Sequence, residues 1–278
     1  MTKQIGSRIL IISLVLCSCS SKNLQVEFKN DPNFEIVQHQ DQGFSKFNRK
    51  VVVFGIDIYA APKVEDLKLL HAANVMAQYL DNDEDGEVDD PLLIQKMLEN
   101  KAFMVMWKNK RDLWFVPPSD REGQDLGNDE TEPSFVMNGK MGPFDASLEE
   151  VLHIINSAGH SNAYPEVFAQ EEGSELAKAM DIARGGHFKS IPKTYPNGAW
   201  YSYYDRTCNY SDCQTIEYLY WAISSMLGAQ ENRLDEIGDE WKLNTREKLE
   251  FTDKAIYSIL TNPKYKMPRV LPDGKYRQ

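Results

Sequence analysis

The run VVVFGIDIYA (51–60) is dense in β-branched and aromatic residues and predicts a strand. Pro62 then opens VEDLKLLHAANVMAQYL, where Val64, Leu67, His71, Val75 and Tyr79 recur at helical spacing with Leu70 beside them. A second helix is predicted from Pro91 in PLLIQKMLENK. FMVMW (103–107) and LWFVP (113–117) read as two strands joined by the basic turn Lys108–Arg111, the pattern of a hairpin. Residues 119–133 are acidic and contain glycine, which predicts an exposed loop, and SFVM (134–137) predicts an edge strand before a turn at Gly139–Gly142. Ser147 and Glu150 have the spacing of a capping box that starts a helix, and Gly159 is placed to end it. SELAKAMDIA (174–183) predicts another helix, stopped by Gly185-Gly186, and AWYSYYD (199–205) is strand-like. Two further helices follow, TIEYLYWAISSMLGA (215–229) and TREKLEFTDKAIYSILT (245–261). Strand, helix, helix, hairpin, strand and then helices describe an α+β domain with a small mixed sheet.

The two ends of the chain differ from this body. Lys3 and Arg8 precede ILIISLVL (9–16), an apolar run too short to span a bilayer, which reads as an export signal. With Leu16 and Ser18 before it, Cys19 resembles the modified cysteine of the bacterial lipobox. That resemblance implies loss of residues 1–18, acyl chains on Cys19 and a place in the cell envelope. Ser20 after the cysteine permits outer-membrane sorting, on the periplasmic or the surface face. Residues 19–48 then read as a tether and 49–278 as one domain, without internal repeats.

Charge narrows the partners. The formal net charge is −11, and removal of Lys3 and Arg8 makes it more negative. Nucleic acid and an anionic bilayer surface both require positive patches, so membrane contact is expected through the lipid alone. A protein or glycan partner is left open: Trp200, Tyr201, Tyr203 and Tyr204 suit stacking on sugar and suit a core equally. After Cys19 only Cys208 and Cys213 remain, and four intervening residues in an oxidising compartment predict a disulfide. Too few thiols are left for a thiolate zinc site.

Candidate chemistry concentrates in two places. In YLDNDEDGEVDD (79–90), Asp81, Asp83 and Asp85 alternate before Gly86, Glu87, Val88 and Asp89. This spacing resembles the EF-hand calcium loop, with helices predicted on both sides. The resemblance implies oxygen ligands from Asp81, Asp83, Asp85, Glu87 and Asp89, and a sharp turn at Gly86. The twelfth position of the loop (81–92) is Leu92, where that family has a bidentate glutamate, and Asp90 is equally placed to cap the next helix. Mutual repulsion of so many carboxylates favours a cation among them, the alternative being a solvated acidic turn. His71 shares a helical face with Leu67 and Val75 and reads as a hydrogen-bonded core residue.

The second place is SLEEVLHIINSAGH (147–160). Glu149 and His153 are four apart, so on a helix both reach one metal ion. Glu150, one step round, stands where zinc peptidases keep the general base that activates water. A third ligand would come from Glu217 on a later helix, 64 residues after His153, or from His160 if the chain turns at Gly159. The segment resembles the zincin metallopeptidase motif with Glu149 in place of its first histidine, and the order of elements over 51–229 is similar to that family. The resemblance implies a zincin-like core and a zinc ion. An ordinary helix whose first-turn carboxylates favour the dipole is the alternative. The wording HAANVMAQYLDNDEDG, EEVLH, ARGGHF and CNYSDCQTIEYLYWA also resembles a family of exported proteins that carries no assigned activity. Two functions are compatible with these readings: a metal-dependent hydrolase, or a non-catalytic binding or structural lipoprotein stiffened by calcium.

Overall fold

The structure is a computed structural model and describes residues 33–278. The expected signal segment 1–18 and Cys19 lie outside the described residues. Five strands form one mixed sheet in sequence order: β1 (Val37–Gln38), β2 (Arg49–Val53), β3 (Ile56–Ala60), β4 (Phe103–Trp107) and β5 (Gly123–Gly127). β1 to β3 pair antiparallel, whereas β3 to β4 and β4 to β5 pair parallel. The fold is α+β, as the element order predicts.

The run 51–60 is a hairpin rather than one strand. Val53 pairs with Ile56 across Phe54-Gly55, whose φ angles are 46° and 89°. Two positive φ values make the two-residue turn that matches strand twist, and glycine supplies one of them without strain. The parallel step from β3 to β4 needs a long crossover. Helix α1 (Asp66–Leu80), the acidic loop and helix α2 (Pro91–Glu99) provide it. Leu67, expected on the buried face of α1, is 40% exposed.

The second expected hairpin is absent. Lys110–Leu113 is a 3-10 turn, and Trp114 and Val116 are exposed. The partner of β4 is β5, inside the stretch expected to be a loop. β4 is almost entirely buried and supplies the apolar contacts, so its polar, glycine-bearing neighbour needs only its backbone and Leu126. Gly123 is required there, because a Cβ would lie 2.3 Å from Cζ of Phe103. SFVM forms a turn with Phe135 buried, and AWYSYYD contributes a single bridge, Tyr201 to Trp241. The tether expectation also fails for residues 33–48: Phe44 and Phe47 are buried, and Phe44 stacks on Tyr59 at 4.0 Å.

Helix α3 (Ser147–Ile154) packs against α1, β4, β5 and a later helix, α7 (Thr215–Met226). It has no capping box. Ser147 donates its hydroxyl to Asp145 (2.7 Å), and the Glu150 side chain points elsewhere. Gly159 does not stop the helix, which continues through a π turn (Ile155–His160) into α4 (Ser161–Ala163) and then α5 (Pro165–Phe168). Gly159 serves close approach, since a Cβ would meet Leu93 and Met97 of α2 at 3.0 and 3.1 Å. Helix α6 (Glu175–Ala183) is capped by Ser174. A second π turn (Tyr210–Gln214) leads into α7 (Thr215–Met226), and the expected disulfide Cys208–Cys213 closes that turn. Helix α8 (Leu234–Ile237) follows. The last expected helix is two, α9 (Arg246–Thr252) and α10 (Lys254–Thr261), separated by Asp253, which caps the second.

Candidate metal centre

The apolar face of α3 (Leu148, Val151, Leu152, Ile154) is buried in the core. Glu149, Glu150 and His153 lie on the side that meets β5 and α7. One ligand atom each from Glu149, His153 and Glu217 of α7 fall within 4.8 Å of one another. His153 Nε2 is 3.7 Å from Glu217 Oε2, and its Nδ1 is 3.2 Å from Glu150 Oε2. The same Glu150 oxygen accepts a hydrogen bond from the Gln124 amide on β5. Tyr220, also on α7, sets its ring edge-on to His153 at 5.7 Å, and its hydroxyl faces Glu149 and weakly opposes the rise of that carboxyl. His153 Nε2 is buried and has no hydrogen-bond partner.

These groups sit in a strongly anionic, poorly hydrated place. Burial pushes the Glu149 carboxyl up to about 8, against the pull of His153 and with added repulsion from Glu217 and Glu150. Burial also raises Glu217. For His153 burial acts downward, but the bond to Glu150 and the charges of Glu217, Glu150 and Glu149 outweigh it and lift the imidazole to about 9. Further carboxylates flank the triangle. Burial and then repulsion from Glu217 raise Glu240 to about 7, while burial followed by Glu150 raises Asp125. Among the described residues, the ion-pair partner of Glu150 and of Glu217 is His153, and no lysine or arginine pairs with either.

A pH dependence follows for the ion-free chain. Both groups hold their protons more tightly folded than unfolded. The stabilisation from His153 is complete below its ordinary value of 6.5 and is lost as pH rises through about 9. The cost of ionising buried Glu149 sets in above 4.5 and is complete by about 8. Urea midpoints of metal-stripped protein should therefore fall steadily from about pH 5 to about pH 9. A flat profile would contradict this electrostatic picture.

His160 is not part of the triangle. Because the helix continues past Gly159, the His160 ring packs on Phe168 at 5.1 Å, and Nδ1 meets Asn156 at 3.0 Å. Burial pushes it down to about 4, partly offset by Asp90. His71 is the core residue expected, with Nε2 2.7 Å from buried Asp145. Gln124 was not anticipated, since its strand reads as a loop.

The acidic loop joins α1 to α2, as the sequence predicts. Ligand atoms of Asp81, Asp83 and Asp85 fall within 4.8 Å of one another. Asp81 accepts hydrogen bonds from the backbone of Asp85 (3.1 Å) and Gly86 (2.8 Å), and Gly86 has φ +101°. Asp89 and Glu87 lie outside that group of three. Asp89 accepts from the Asn82 backbone at 2.8 Å, and its carboxyl is raised by burial, then by Asp83, Asp81 and Asp85. Glu87 is exposed. Asp90 caps α2 through Leu92 N and Leu93 N and accepts the Tyr164 hydroxyl.

The C-terminal tail straps this loop, which no sequence signal announced. Tyr276 donates its hydroxyl to Asp81 Oδ2 (2.5 Å), and Asn82 and Gln78 bond the backbone around Val270 and Gly274. The Arg277 guanidinium lies over Gly86. No family model matches this chain, and no curated protein or solved structure matches it either.

Proposed function

We propose that this chain is a metal-dependent hydrolase of the cell envelope, lipid-anchored through Cys19, with Glu149, His153 and Glu217 as ligands in a zincin-like arrangement. The observation that carries the reading is His153 Nε2, buried without a hydrogen-bond partner between two half-buried carboxylates. A buried ring nitrogen without a hydrogen bond is costly, and a cation that takes the place of its proton would satisfy it and both carboxylates together. Two carboxylates and one imidazole form a hard-to-borderline donor set compatible with zinc, less selective than a set richer in nitrogen.

A bound divalent ion would supply Lewis acidity and lower the pKa of water at the site. The chain itself does the rest. The imidazole is held by Glu150. Partial burial between α3 and α7 limits the water around these groups, which strengthens the charge interactions there.

The acidic loop is proposed as a separate calcium site of structural role, built on Asp81, Asp83 and Asp85 with Asp89 beside them. Its backbone is already folded around the Asp81 carboxylate, which lowers the ordering cost of binding.

Elemental analysis of purified protein tests both readings. Zinc or a similar transition ion at one per chain supports the hydrolase, and calcium alone supports a non-catalytic lipoprotein. Chelator should lower the melting temperature, and calcium should restore part of the loss. Calcium at about 100 times its Kd is worth about 2.7 kcal/mol. A melt indifferent to calcium and chelator would remove the calcium site.

A further inference from the structure

We infer that Glu150 is a positioning residue for His153: with Gln124 behind it, it fixes the imidazole tautomer that leaves Nε2 free to bind a metal ion. The inference rests on the metal reading above and reassigns the residue that the peptidase resemblance would make the general base.

The geometry is a chain of three side chains from two elements. Gln124, on β5, donates its amide hydrogen to Glu150 Oε2, on α3. The same oxygen lies 3.2 Å from His153 Nδ1, one turn further along α3. A carboxylate is an acceptor only, so the hydrogen of that contact sits on Nδ1. Once an incoming cation has displaced the Nε2 proton, the imidazole keeps its hydrogen on Nδ1 and presents a lone pair at Nε2. That atom is the buried one without a hydrogen bond, 3.7 Å from Glu217 Oε2 and inside the ligand triangle with Glu149. Glu150 Oε2 already serves two donors, which suits an outer carboxylate that orients a metal-binding histidine. Placement on a strand edge and a helix gives this relay a rigid frame, since β5 and α3 pack directly on each other.

Cobalt(II), followed by its visible absorption, is the probe for the full chain and its variants. Glu150→Ala should weaken cobalt binding by roughly 10–100-fold, the usual loss for an outer-sphere partner. Glu150→Gln keeps an acceptor oxygen for Nδ1–H and should recover most of that loss. Gln124→Ala should give a smaller loss in the same direction, and it carries the test if Glu150→Ala does not fold. The imidazole nitrogen spectrum of the zinc-loaded wild type should show the hydrogen of His153 on Nδ1, a signature that a merely structural role would not require. Unchanged cobalt affinity in both Glu150→Ala and Gln124→Ala overturns this inference and leaves the metal site standing. A wild-type chain that binds no cobalt overturns the metal site and this inference together.

Discussion

Glu217→Gln should weaken zinc binding by roughly 100-fold or more and leave the metal-free protein at least as stable as before. The size follows from structural zinc affinities, which amount to about 3 kcal/mol for each of four ligands. The opposite sign of the stability effect follows from burial, which already disfavours the ionised Glu217 carboxyl. An amide of the same shape removes one of the crowded charges around His153 without opening a cavity. If the support that Glu217 gives the imidazolium outweighed the cost of its burial, the same change would destabilise the fold. Competition with a chelator of known affinity and a pair of melting curves separate the two. Unchanged zinc affinity would sink the assignment of Glu217 as a ligand.

Asp145→Ala should be the most damaging single change away from the triangle. Its carboxylate is 1% exposed and takes bonds from His71 Nε2, the Ser147 hydroxyl, and the backbone N–H groups of Ser147 and Glu132. Alanine strands all of these donors. Buried unsatisfied groups cost about 1–3 kcal/mol each, so a loss of at least about 4 kcal/mol is expected. For a chain of this size that lowers the melting temperature by roughly 8–16 °C. Asp145→Asn retains an acceptor and should cost less. The effect reaches the candidate site as well, because Asp145 fixes the first residue of α3, two positions before Glu149. A shift below about 2 °C would show that water satisfies these groups instead.

Much of the candidate site was legible in the sequence, for a physical reason. Glu149 and His153 stand one helical turn apart in a strongly amphipathic stretch, and Glu217 lies in an apolar run long enough to be a buried helix. Periodicity therefore placed all three on helices, the zinc-peptidase resemblance offered Glu217 beside His160 as a third ligand, and the loop between α1 and α2 was equally plain. Gln124 was not legible, because β5 owes its strand to the buried face of β4 rather than to its own composition. The β2–β3 turn was hidden because Phe54 is as apolar as its neighbours, leaving Gly55 as the one sign of a break. His160 was misplaced because the π turn inserts a single residue, which leaves no mark on helical periodicity yet carries the chain past Gly159. The split between α9 and α10 has a similar cause: Asp253 reads as an ordinary polar position, but its buried carboxylate holds Trp200 and Tyr218.

The strap across the acidic loop has a kinetic consequence. Tyr276 meets Asp81 across 195 residues of chain, and Asn33 bonds the Tyr276 carbonyl across 243. Contacts at such separations close late, after the local hairpin and helices have reduced the entropy of bringing them together. During synthesis the loop and its flanking helices emerge long before the tail that completes their surroundings. The hydrogen bonds that hold the Asp81 carboxylate are therefore completed only after residues 270–277 have been made and docked.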